Sequence, residues 1–213
     1  MFPDRHSGKA GEEAARSICK KFKQGLADYS VYAFHFDQLL EGLFKTQPRI
    51  ALDVFFGNGA EDEENIVDVD SFDDISENRK NPLDAVTDDV VLDWCAQGSA
   101  ERYVSIANAI SCFRAGKDSP VGWTPIALKL LEVAPDPLAV LEVYIERFSP
   151  RSWSGSRAAI MESRVRLLDN LEHHSNPAIA ARAVQKRPEL QADVARTREW
   201  ETMHDRERDE RFE

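Results

Sequence analysis

Four aspartates packed into a short stretch, Asp68, Asp70, Asp73 and Asp74, are the first residues whose type and spacing could do chemistry. Clustered carboxylates are the oxygen ligands that calcium and magnesium take. An EF-hand loop needs oxygen ligands at its first, third and fifth positions, glycine at the sixth and glutamate at the twelfth. Counted from Asp68, the fifth position is Phe72, the sixth Asp73 and the twelfth Arg79. The pattern fails, and a solvated acidic loop is the expected role, with non-specific cation binding as the alternative.

The other catalytic and ligating patterns fail as well. The histidines are His6, His35, His173, His174 and His204, and no H-E-x-x-H or Cys/His set at zinc spacing occurs among them. Adjacent His173 and His174 would point about 100° apart on a helix, so they form no chelating pair. They are expected at a helix C-terminus, facing its last carbonyls. Ser154 and Ser156 stand beside Gly155 without the G-x-S-x-G pattern. Neither a P-loop nor a G-x-G-x-x-G phosphate loop is present. No catalytic residue, metal or cofactor is therefore expected, and the alternative is an enzyme whose carboxylates and arginine assemble in a groove between helices.

Two stretches carry residue types suited to binding. Ser149–Arg157, SPRSWSGSR, places Arg151, Trp153 and Arg157 on a loop that leads into a helix. Free N–H groups at a helix start favour anions, and Arg and Trp are enriched at binding hot spots. The bland alternative buries Trp153 beneath the turn, with the arginines paired to nearby carboxylates. Ser154 or Ser156 is expected to cap the helix beginning near Arg157. The second stretch is the charged tail RTREWETMHDRERDERFE, with Trp200, Met203 and Phe212 as isolated large apolar residues. Such a helix docks on another chain or folds back on its own. Arg151, Trp153, Arg157 and Trp200 are the expected partner-binding residues.

The elements that must position them are helices. Ala14, Ile18, Phe22 and Leu26 draw one stripe, and Phe36, Leu39, Leu40 and Leu43 a second. Ile50, Val54 and Phe55 follow, then Tyr103, Ile106, Ile110 and Phe113, then Leu138, Leu141, Ile145 and Phe148. Ile126, Leu130 and Val133 lie between the last two, and Ile160, Leu167, Leu168 and Leu171 and the run from Ile179 come after. No comparable segment alternates with period two. Pro48, Pro125, Pro137, Pro177 and Pro188 each open an apolar-periodic run, as proline does at a first helical position, and Pro188 is also expected to stop the helix before it. Thr124, Asp136 and Asn176 are placed to cap. The expected fold is all-α, roughly nine helices joined by short turns and so antiparallel to their neighbours.

Three parts are expected: a helical unit over 1–57, an acidic surface insertion over 58–89, and helical hairpins over 90–213 ending in a charged helix. The PDPLAVLEVYIERF and SNPAIAARAV segments resemble irregular HEAT-type hairpins, and residues 88–195 resemble a short HEAT-like α-solenoid, with a globular bundle as the alternative. The resemblance implies a non-enzymatic protein–protein interaction module, or a subunit of a larger bacterial-type complex. Another protein is the expected partner.

Charge and cysteine content narrow the remaining classes. A formal net charge of -11 disfavours nucleic acid and anionic membranes, although Lys20, Lys21 and Lys23 could form a local basic face. No apolar run approaches the length that spans a bilayer, and MFPDRHSGKAGEEAA lacks the apolar core of a secretory leader. Cys19, Cys95 and Cys112 are few and scattered, which suits a reducing compartment. A cytoplasmic protein is expected.

Overall fold

Helices with proline at their first position are the recurring element. The computed structural model describes residues 5–32, 35–57, 81–116 and 119–210. The chain forms two compact units, Met1–Ser111 and Cys112–Glu213. The fold is all-α, with one small hairpin of strands among the described residues.

The first unit holds α1 (Arg5–Ala27), α2 (Asp37–Thr46), α3 (Pro48–Phe56), a single 3-10 turn (Pro82–Ala85), α4 (Asp88–Ala96) and α5 (Glu101–Ala109). Helix α3 is its centre, packed against α1, α2, α4 and α5. Ile50, Ala51, Leu52, Val54, Phe55 and Phe56 are all buried, and Phe44 of α2 stacks at 5.6 Å on Phe55. Asp53 breaks this apolar run. Its carboxylate accepts the Trp94 indole N–H at 2.7 Å and stands 3.6 Å from Arg16. Arg102 lies 4.1 Å over the Trp94 ring and donates to its carbonyl at 2.8 Å.

Two expected stripes shift in register. On α1 the buried face is Ala15, Cys19, Phe22 and Leu26, whereas Ile18 is exposed. A strict four-residue repeat drifts about 40° per step around a helix of 3.6 residues per turn, so a stripe drawn that way leaves the core face. On α2 the core takes Leu40, Leu43 and Phe44, leaving Phe36 and Leu39 exposed. The turn after α1 needs Gly25, where a Cβ would come within 2.8 Å of Val31.

Residues 58–80 of the expected insertion, with Asp68, Asp70, Asp73 and Asp74, lie outside the described residues. Its end is packed rather than solvated: Asn81, Pro82, Leu83 and Val86 are buried. Asn81 accepts from the Leu83 amide at 2.9 Å and donates to the Ala109 carbonyl at 2.6 Å. Residue 90, where a boundary was expected, falls inside α4.

The second unit begins with strands β1 (Phe113–Gly116) and β2 (Ser119–Trp123), followed by α6 (Pro125–Val133), α7 (Pro137–Glu146), α8 (Arg157–Val165), the single turn α9 (Leu168–Leu171) and α10 (Pro177–Glu210). The hairpin corrects the helical assignment of Phe113. Helix α5 stops at Ala109, and the residues that follow include Gly116, Pro120 and Gly122, all poor helix formers. Phe113 pairs with Trp123 across the antiparallel strands. Trp123 packs on Tyr144 at 5.5 Å and Phe148 at 6.1 Å, and its indole donates to the Leu167 carbonyl at 3.0 Å.

Proline opens α3, α6, α7 and α10 as expected, and Asp136 and Asn176 supply side-chain caps. Thr124 does not cap: its buried hydroxyl donates to the Cys112 carbonyl and closes the hairpin. Pro188 does not stop a helix either, but lies inside α10.

Replacing Asn81 by alanine leaves the Ala109 carbonyl and the Leu83 amide buried without partners. Chemical denaturation is expected to show a loss of about 1–3 kcal/mol; an unchanged midpoint would mean Asn81 holds nothing together.

Candidate functional site

The loop between α7 and α8 is held from below and open above. Phe148 and Pro150 are buried, while Arg151 to Ser156 are exposed. Gly155 turns the chain with φ +79°, a conformation that favours glycine. The turn delivers Ser156 to the start of α8, where its Oγ accepts the Ala159 amide at 3.1 Å. The expected cap is therefore Ser156.

The same hydroxyl donates to Glu201 Oε2 at 2.8 Å, and the Ala158 amide donates to Glu201 Oε1 at 3.2 Å. Glu201 comes from α10, so its carboxylate occupies the helix start that the sequence marked as favourable for an anion. Burial works to raise its pKa, but the hydrogen bonds from Ser156, Ala158 and the Arg157 backbone, with the charge of Arg198, leave it lowered. The two expected binding stretches thus meet at one contact.

Around that contact the large side chains stay accessible. Trp153 is 44% exposed and Trp200 53%. Arg157 stacks on Trp153, 4.8 Å from the ring centroid, and donates to Ser149 Oγ at 2.6 Å. Trp200 stacks on His204 at 4.1 Å. Arg151 is exposed on the loop crest. Trp153 does not pack beneath the turn, and α10 folds back on α8 without burying Trp200. Phe212 lies outside the described residues.

Below the contact, α8, α9 and α10 enclose a groove of about 300 Å³. Arg166 and Arg198 both meet Glu162, at 3.4 and 2.8 Å. Arg187 meets Asp169, and Glu172 at 2.8 Å. Three guanidinium groups are matched by three carboxylates, so a bound anion would compete with partners already in place. The hydrogen bond from Arg198 chiefly holds the Glu162 carboxyl below the usual range, and Arg182 does the same for Glu142.

His174 Nδ1 accepts the Asn176 amide at 3.1 Å just past α9, and His173 is exposed. The three cysteines are buried and free, and burial pushes the Cys95 thiol up to about 12. Among the described residues, no group of His, Cys, Asp and Glu comes together to hold a metal ion. None of their helices is long and apolar enough to cross a membrane. No family model, no curated protein and no solved structure matches the chain.

Sequence reasoning missed Glu201 and Arg198. Both look like ordinary members of a charged tail, and their partners Ser156 and Glu162 are 45 and 36 residues away.

Two results are expected. Ser156→Ala removes both the cap and a donor to Glu201, and thermal or chemical unfolding is expected to show a loss of about 1 kcal/mol; no loss would deny the contact any weight. Glu142, Glu162 and Glu201 all titrate below the ordinary 4.5. Their stabilisation is complete above that value and is lost as pH falls through the lower folded values. Calorimetry is expected to show their contribution as a fall in Tm on acidification below 4.5, weaker in Glu201→Gln; the same fall in that variant would exclude Glu201.

Proposed function

We propose that the chain is a non-enzymatic protein–protein interaction module, and that its contact face is the loop Ser149–Arg157 together with the outer part of α10. One observation carries the reading: Trp153 and Trp200 keep about half of their surface exposed, 44% and 53%, within a few residues of the contact that fixes both stretches. Large aromatics left open on a fixed frame are the anchors that interfaces use, because ordering them on binding costs little. Arg151 and Arg157 add donors suited to carboxylates and carbonyls, and Met203, 57% exposed, adds an adaptable apolar surface.

The partner is another protein. The net charge of -11 works against nucleic acid and anionic membranes. Helices α6 and α7, packed together across a three-residue turn and followed by α8 to α10, support reading the second unit as a short, irregular HEAT-like stack. Such a stack fits a subunit of a larger complex. Three buried free thiols suit the cytoplasm.

The test is capture from an extract of the source organism with immobilised wild-type chain, beside Trp153→Ala/Trp200→Ala and a control, Val133→Ser, at an exposed position of α6. A reproducible protein retained by wild type and control, and lost at least tenfold in the double variant (about 1.4 kcal/mol), is expected. Equal retention by all three, or no reproducible protein, contradicts the reading. Unchanged circular dichroism establishes that the double variant folds.

A further inference from the structure

Helix α10 is one continuous helix with two different attachments. Its inner part, 177–187, buries Ile179 and Ala183 completely and is tied by Arg182 to Glu142 of α7 and by Arg187 to Glu172 after α9. The part beyond Pro188 has Val194 as its buried apolar residue among the described side chains. It lies against the buried Met161 and Val165 of α8, with the Thr197 hydroxyl 3.7 Å from Met161 Sδ, and polar contacts latch it there: Glu201 on the helix start and Arg198 on Glu162.

The change of attachment falls at Pro188. Proline has no N–H to give the carbonyl one turn back, that of Val184, and its ring crowds that carbonyl. Val184 lies on the solvent side, 56% exposed, where water can take over the acceptor. The helix therefore has a weak joint between its attachment to α7 and α9 and its attachment to α8. A long polar helix released from its packing is marginal in water, so docking and helix formation beyond the joint support one another.

We propose that the part of α10 beyond Pro188 is a releasable strap, hinged at Pro188 and latched by Glu201 and Arg198, that leaves α8 as a unit while the inner part stays in place. Its release uncovers the amides at the start of α8, with Met161, which faces Thr197, and Val165, which lines the groove beside Val194. The strap shares the Glu201 contact and Trp200 with the partner reading, but hydrogen exchange on the isolated chain tests it without a partner.

Hydrogen exchange on the full chain tests it. Amides 190–204 are expected to exchange as one level plateau, at least about 100-fold less protected than amides 181–187. Glu201→Gln/Arg198→Gln is expected to lower the plateau about tenfold and leave the inner part unchanged. Pro188→Ala, which restores the missing N–H, is expected to raise it. Equal protection on both sides of Pro188 overturns the proposal. So does protection that decays smoothly toward the end, the mark of simple fraying, or a latch variant that lowers both parts together.

Discussion

A carboxylate seated on the start of a helix is the contact on which the second unit's exposed face depends. Glu201 takes the Ser156 hydroxyl and the Ala158 amide, so it satisfies donors that a helix start leaves open and holds the outer part of α10 against α8. The arrangement is local at one end and distant at the other. Ser156 reaches its position because Gly155 turns the chain after a loop anchored by Phe148 and Pro150. With both stretches fixed, Trp153 and Trp200 are presented on a frame instead of on loose segments.

That frame rests in turn on an aromatic core. Trp123 fills the space between the hairpin and α7, and its indole N–H goes to the Leu167 carbonyl between α8 and α9. Arg164 of α8 lies 4.7 Å over Phe113 and donates to the Arg147 carbonyl just after α7. A two-stranded hairpin is marginal alone, and here its paired, half-buried aromatics pack on Tyr144 and Phe148 of the neighbouring helix and the turn after it. The first unit solves a similar problem with Asp53, Trp94 and Arg102, which pair a carboxylate, an indole and a guanidinium among apolar neighbours.

Much of the helical plan was legible because proline and capping residues act locally. Pro48, Pro125, Pro137 and Pro177 open helices, and Asp136, Ser156 and Asn176 cap them, for reasons contained within one turn of chain. What escaped is what depends on distant atoms. Thr124 has the right type for a cap, yet its hydroxyl goes to Cys112. FRAG and SPVGW are too short and too rich in glycine and proline to read as strands. Pro188 reads as a stop, but the packing of α10 on both sides carries the helix through it. At the site, composition marked the two stretches and the anion-favouring helix start. Nothing within the tail singled out Glu201 as the group that occupies it.

Exposed tryptophans on a fixed face gain meaning only if something covers them, and photo-crosslinking in living cells asks that directly. A benzophenone amino acid placed in turn at positions 153, 200 and 133 compares the proposed face with the exposed Val133 on α6. One common crosslinked protein from positions 153 and 200, absent from 133, is the expected result. Crosslinks absent from both tryptophan positions, or the same species from all three, would contradict an interaction face here.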